Sequence, residues 1–235
     1  MRITAVAANA YQLTRWGFVN CYLIREADGL TLVDTGLPGS QDAILSVVGK
    51  LGGPLRRIIL THAHMDHVGS ADALVDRLGS SGVELVANAR SLPLLQKPPD
   101  LSLLAGEPQV KIKGSLSGIK SRPTRLLEED DLVGSLRTIE TPGHIPGHLA
   151  FLDQRDGTLY AGDSLVGMGH LTVTGYAPWF FPLPNFGTWD KPTAVASARK
   201  LLDYPIERFA CGHGAVQPGG LPALAAAILK TGAGV

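Results

Sequence analysis

The stretch T-H-A-H-M-D-H-V-G, residues 61–69, decides how the rest of this sequence is read. Three of the chain's seven histidines, His62, His64 and His67, fall within six residues, with Asp66 beside the last. The apolar run Ile58-Ile59-Leu60 precedes them and predicts a strand over 56–60. The spacing of Ala71, Leu74, Val75 and Leu78 predicts a helix over 67–78, stopped by Gly79. Residues 61–66 are then a turn after a strand, where functional side chains converge at a sheet edge. His62 and His64 alternate in an extended stretch, so both point the same way. A polar turn with Asp66 as a helix cap would account for part of this. It does not account for four metal-competent side chains in six positions.

Four such residues furnish parts of two adjacent metal sites and cannot fill both, so further ligands are expected on later loops. T-P-G-H-I-P-G-H, residues 141–148, follows a predicted strand over 136–140 and presents His144 between glycines and prolines. In L-Y-A-G-D-S, Asp163 leaves a strand over 158–162. In C-G-H-G, His213 follows a strand over 208–211. Taken singly, Asp163 and His213 read as ordinary loop polarity. As an ordered set, each after an apolar run and beside glycine, they read as ligands. Imidazoles and carboxylates in this mixture suit Zn²⁺.

Around these motifs short β-rich runs alternate with helical ones. Further strands are expected at 3–7, 19–25, 30–34, 83–87 and 148–153. Ala43, Ile44, Val47, Val48 and Leu51 form one stripe of a helix over 40–51, with Ser40 placed to cap it and Gly52-Gly53 to end it. Asp190 is placed to cap a helix carrying Ala194, Ala198, Leu201 and Leu202, and a last helix covers roughly 221–230. Early hairpins followed by strand–helix units give an α/β class with sheets covered by helices. No linker divides the chain, so a single domain over 1–235 is expected. Segments 97–125 and 164–189 are the least regular, and the second holds six of the fourteen aromatics: Tyr176, Trp179, Phe180, Phe181, Phe186 and Trp189. They read either as core cover or as a wall beside the metals.

The bulk composition excludes several classes. At 235 residues and 45% hydrophobic, the chain can bury a sizeable core. Lys plus Arg and Asp plus Glu balance at 21 each, so no global field draws in nucleic acid or an anionic membrane. The N-terminal MRITAVAANAYQL has too short an apolar run and a single Arg2, and reads as a strand rather than a signal peptide. No run approaches the ~20 apolar residues of a membrane span. Two cysteines, Cys21 and Cys211, fit a reduced, cytoplasmic setting better than a disulfide framework. The expected partner is a small-molecule substrate, with no nucleic acid and no membrane; oligomeric state is left open.

The pattern H-x-H-x-D-H, then His144, Asp163 and His213, together with L-T-L-V-D-T-G at 30–36, resembles the metallo-β-lactamase superfamily over roughly residues 1–216. The resemblance implies a four-layer αβ/βα sandwich with metals along one edge. It implies two Zn²⁺, with Mn, Fe or Co as substitutes: His62, His64 and His144 on one, Asp66, His67 and His213 on the other, and Asp163 bridging. It implies a hydroxide shared by two ions, attacking a carbonyl carbon, since coordination lowers a water's pKa from 15.7 towards about 7. Asp66 would orient that hydroxide and pass a proton to the leaving group. Asp34 would accept an N–H from a ligating histidine and fix its tautomer, unless it only makes an Asx-turn before Gly36. Thr61 and His148 would support ligands similarly, and Tyr176 would hydrogen-bond a carbonyl or leaving group.

Within that family, Asp163 weighs against a true β-lactamase. His62 and His64 weigh against the diiron flavoprotein branch. The roughly twenty residues after His213 leave no room for the helical domain with which glyoxalase II holds glutathione. The expected reaction is therefore cleavage of an ester-type bond, a lactone, thioester or ester, of a small and fairly apolar substrate. The alternatives are a mononuclear-iron persulfide dioxygenase, a phosphodiesterase, or a non-catalytic binding module on the same fold.

Overall fold

A computed structural model describes residues 1–79 and 82–232. The first sheet is ordered β1 (Arg2–Ala7), β2 (Ala10–Arg15), β3 (Val19–Glu26), β4 (Gly29–Val33), β5 (Leu55–Ile59), β6 (Glu84–Asn88) and β7 (Arg125–Leu127). Its first four strands form an antiparallel meander, and β4 to β7 run parallel. The second half of the chain supplies β8 (Leu132–Val133), β9 (Leu136–Glu140), β10 (Leu149–Asp153) and β11 (Thr158–Gly162). A separate two-stranded hairpin follows, β12 (Leu165–Val166) with β13 (Thr172–Val173). Then come β14 (Arg208–Cys211) and β15 (Gln217–Pro218), and the second sheet is ordered β15-β14-β11-β10-β9-β8.

The alternation of side chains along each strand assembles four layers. Tyr22, Ile24, Val33, Ile59 and Val86 from the first sheet meet Leu136, Leu149, Phe151, Tyr160 and Ala210 from the second, filling the space between the sheets. Their sequence neighbours face outward. Leu23, Leu32, Ile58 and Leu60 pack against Ile44 and Val47 of α1 (Gln41–Leu51), beyond which the chain forms α2 (Met65–Val68) and α3 (Ala71–Leu78), whose Leu74 joins the same cluster. Leu94 and Leu95 of α4 (Leu92–Leu95) complete that layer. On the other side, Leu152, Leu159, Ala161 and Phe209 pack beneath helices that follow the short α5 (Leu183–Gly187). These are α6 (Lys191–Lys200), with Ala194 and Ala198, and α7 (Gly220–Leu229), with Leu224 and Ile228. Strand segments buried on both faces read as nearly unbroken apolar runs, which is why Ile58-Ile59-Leu60 and Leu159-Tyr160-Ala161 stand out in the sequence. The layered α/β architecture expected from the resemblance is present.

Local details differ from expectation. The helix expected over 67–78 is two, α2 and α3. Between them Gly69 donates its N–H to Gly36 O (3.0 Å) and Ser70 donates to Thr35 Oγ1 (3.2 Å). Helical bonding there gives way to the loop after β4, and the first turn begins at Met65 instead of His67. Ser40 stands at the start of α1 without capping it; its hydroxyl donates to Leu37 O at 2.7 Å. Asp190 does cap α6, accepting the Thr193 N–H at 2.9 Å. That helix ends at Lys200, and Leu201 and Leu202 lie in a following 3₁₀ turn. Both cysteines are buried and unpaired, Cys21 in the cluster under α1 and Cys211 in the one under α6. No helix among the described residues is long and apolar enough to cross a membrane.

Candidate metal centre

The strands β4, β5, β9, β11 and β14 end towards one edge of the sandwich, and each releases a polar side chain there: Asp34, the 61–67 segment, His144, Asp163 and His213. Three groups of donors lie close enough to share an ion: His62, His64 and His144; His62, His67 and Asp163; and Asp66, His67 and His213. The seven side chains singled out by spacing are therefore brought together. All are buried except Asp66, whose side chain keeps 28% of its exposure.

In the first group His62 Nε2 lies 3.1 Å from His64 Nδ1, which lies 3.0 Å from His144 Nε2. The outer nitrogens decide which form these rings take. His64 Nε2 is 2.9 Å from Lys113 O, and a carbonyl only accepts, so that nitrogen carries the proton. The Thr61 hydroxyl donates to Asp34 Oδ2 (2.8 Å) and so accepts from His62 Nδ1 (2.9 Å). Thr188 donates to Pro184 O and Thr174 to Thr188, leaving the Thr174 oxygen to accept from His144 Nδ1 at 3.0 Å. Each proton is thus committed outward. Three bare nitrogen lone pairs face one another at about hydrogen-bond distance with no hydrogen between them, an arrangement that a cation relieves. Burial favours the neutral form of His62, His64 and His144, and all three lie below the ordinary histidine range.

The second group is built around carboxylates. Asp163 Oδ2 lies 3.1 Å from His213 Nε2 and 3.5 Å from His144 Nε2, and Oδ1 lies 3.3 Å from His67 Nε2. Asp66 Oδ2 lies 3.3 Å from His213 Nε2. His67 Nδ1 donates to Asp34 Oδ2 at 2.7 Å, and His213 Nδ1 to Phe18 O at 3.2 Å. Burial opposes charge on His67 and His213, but Asp163 and the other carboxylates outweigh it. His67 is raised well above its usual value and His213 is pushed up to about 10. Burial would likewise raise Asp163 and Asp66, yet the imidazoles beside them hold both below the carboxylate range. The pocket demands positive charge. His67 Nε2 and Asp163 Oδ1 are nevertheless buried with no hydrogen-bond partner among the described residues. Unpaired buried nitrogen and oxygen atoms of this kind fit a bound ion, and the ligand set suits divalent cations.

Supporting groups reach the site from segments with no motif. Met65 N–H donates to Ser115 O, and Gly114, at φ +91°, passes against His64 where a Cβ would overlap the imidazole. The indole of Trp189 donates to Val110 O (2.9 Å) while its backbone N–H donates to His144 O (2.9 Å), tying the irregular 97–125 segment to the His144 loop. The His213 loop is held from the other sheet. Asn20 Nδ2 donates to Cys211 O (3.0 Å) and Gly214 O (2.7 Å), while its Oδ1 accepts from Gln12 and Thr14. His148 is a structural neighbour: Nδ1 bonds Thr141 Oγ1 (2.8 Å) and Nε2 accepts the Asp163 N–H (3.1 Å). Polar residues buried in strands, Gln12, Thr14 and Asn20, were the available sequence signal for this support. The Lys113 and Phe18 carbonyls left none.

Tyr176 stands apart. Its side chain packs among residues beneath α6, with Lys191 Nζ 5.0 Å from the ring centre, and no described contact joins it to the cluster. The other aromatics divide. Trp189 and Phe181 are buried, and Phe181 and Phe18 lie 5.4 and 6.2 Å from His213, whereas Trp179, Phe180 and Phe186 are exposed.

Comparison with known proteins gives the same frame. The sequence pattern of the metallo-beta-lactamase superfamily matches residues 14–213. The Bacillus subtilis (strain 168) protein YobT is 46% identical over 197 residues, 83% of each chain. A hydroxyacylglutathione hydrolase of Cereibacter sphaeroides is 33% identical over 174 residues, 72% of this chain and 52% of that one, so the match spans about half of that enzyme. The solved structure of TTHA1623 in a di-iron-bound form is 30% identical, superposes with a TM-score of 0.66, and covers 90% of this chain and 95% of its own. With the motifs, the layers and the polar cluster in agreement, this chain belongs to the metallo-β-lactamase superfamily.

Proposed function

We propose that this chain is a dinuclear metal-dependent hydrolase that cleaves an ester-type bond, a lactone, thioester or ester, of a small and fairly apolar substrate. The observation that carries the reading is the position of Asp163, whose two oxygens reach His67 on one side and His144 and His213 on the other. In this reading His62, His64 and His144 would hold one ion and Asp66, His67 and His213 the second, with Asp163 placed between the two sets. When bound, the ions supply Lewis acidity and an ionised water at neutral pH. Zinc suits the donors; the di-iron form of TTHA1623 makes iron the second candidate.

The protein's own groups do the remainder. Asp66 is the acid of the set that reaches solvent, so it is placed to take a proton from the attacking water and release it to the leaving oxygen or sulfur. Asp34 fixes His67 with its Nε2 towards the cluster, and Thr61 does the same for His62. Burial of six of the seven side chains strengthens the charge interactions among them. The hydroxyacylglutathione hydrolases among the relatives support an acyl substrate.

Elemental analysis joined to a panel of esters, lactones, thioesters and phosphodiesters tests the reading. Two zinc ions per chain with ester-type turnover is the expected result. One iron with oxygen consumption would move the assignment to a persulfide dioxygenase, and a fully loaded protein inert on the whole panel would leave a binding module. Asp66→Ala is expected to abolish turnover with the fold intact.

A further inference from the structure

Two neighbouring loops expose large apolar side chains at one face. Trp179 is 88% exposed, Phe186 71% and Trp16 69%, with Phe180 and Leu183 more than half exposed. Trp16 is on the turn between β2 and β3; the others lie in and just before α5. The loops are joined beneath their tips by Phe18 and Phe181, whose ring centres are 5.3 Å apart. Five large apolar side chains exposed on two loops that touch at their bases are more than the scattered apolar exposure of an ordinary surface and point to an interaction site.

We propose that these loops dock the protein on the surface of a phospholipid bilayer, with the five side chains entering the boundary between headgroups and acyl chains. The chemistry of the segment selects that partner. From Leu171 to Trp189 there is no charged residue in nineteen positions. A docking surface for another protein carries a polar and charged rim; this one offers aromatic and aliphatic tips on a backbone stiffened by Pro178, Pro182 and Pro184. Two cations lie beside these loops, Arg15 also donating to Pro38 O and Ser40 Oγ. The Arg15 guanidinium lies 5.6 Å from the Trp16 ring centre, and Lys191 follows the uncharged segment with its ammonium over Tyr176. Apolar and indole groups at acyl-chain depth with Lys and Arg at phosphate depth is the arrangement a bilayer interface favours. The carboxylate beside Lys191, Asp190, is engaged in capping α6. Zero net charge argues only against long-range attraction to an anionic membrane; short-range apolar insertion needs no net charge. The proposal is independent of the hydrolase reading.

Co-sedimentation of the metal-loaded protein with phosphatidylcholine vesicles tests it. The wild type is expected to partition onto the vesicles equally at low and high salt, with a blue shift of tryptophan emission from Trp16 and Trp179; buried Trp189 contributes a constant background. Trp179→Ser with Phe186→Ser is expected to weaken partitioning about tenfold or more through lost apolar area, with an unchanged melting curve. Failure of the wild type to bind, or equal binding by the double variant, overturns the proposal. So does sedimentation velocity without lipid that finds dimers dissolved by the same substitutions, because the face would then cover a second copy of the chain.

Discussion

Asp34 Oδ2 lies 2.7 Å from His67 Nδ1, and the same carboxylate accepts both the N–H and the hydroxyl of Thr61. One side chain thereby orients rings in both donor groups, His67 directly and His62 through Thr61. Asp34 sits at φ +60°, a conformation asparagine adopts more readily than alanine. Asp34→Asn is expected to keep the fold and lower metal affinity about 10–100-fold, the usual cost of losing such a partner. Asp34→Ala should add backbone strain and lower the melting temperature as well. Chelator competition and calorimetry on the pair separate the two effects; undiminished affinity in Asp34→Asn would remove Asp34 from the site.

Metal removal is expected to destabilise the protein, since it leaves His67 Nε2 and Asp163 Oδ1 buried without partners. At a free ion concentration one hundred times Kd, binding adds about 2.7 kcal/mol. For a chain of this size each kcal/mol moves Tm by roughly 2–4 °C. Scanning calorimetry of chelated and reloaded protein should therefore differ by several degrees, and coincident curves would count against an ion in the cluster.

Gly114 and Gly106 provide a controlled pair. Both have strongly positive φ, +91° and +89°, but a Cβ on Gly114 would overlap His64, while one on Gly106 meets nothing within 4 Å. Gly106→Ala should cost only the backbone term, about 1–2 kcal/mol. Gly114→Ala should pay that and also displace His64, so bound metal falls in this variant alone. Equal metal content in the two would show that Gly114 is a turn residue and nothing more.

The Asn20 amide holds both flanks of the His213 loop through Cys211 O and Gly214 O. Asn20→Asp sets a carboxylate oxygen against those carbonyls. A loss of about 1–3 kcal/mol is expected from the unsatisfied buried groups. Because Asn20 holds the loop that carries His213, a fall in bound metal should accompany the drop in Tm. Unchanged metal content at reduced Tm would confine Asn20 to stability.

Much of the centre was legible because its signals are local. His62, His64, Asp66 and His67 fall within six consecutive positions, and Asp163 and His213 follow apolar strands within two residues. The cap at Asp190 also lies within one helical turn of what it binds. The break between α2 and α3 was not legible, because Gly69 and Ser70 are drawn off by residues 35–36, some thirty positions earlier. The carbonyls of Lys113 and Phe18 have no side-chain signature at all. Strands β7, β8, β12, β13 and β15, at two or three residues, are too short to show a period. Thr174 and Thr188 carry no motif, and their role comes from the His144 ring that leans on them.

The stitching of the His213 loop to the first hairpin has a kinetic corollary. Each proposed ion draws ligands from both halves of the chain: His62 and His64 with His144, and Asp66 and His67 with Asp163 and His213. Neither half can assemble a coordination sphere alone, so a cation would act as a rivet set after the two plates have met. Interactions that form after the folding barrier slow unfolding and leave the folding rate nearly untouched. The loaded protein would then owe its persistence to a long residence in the native state rather than to faster arrival there.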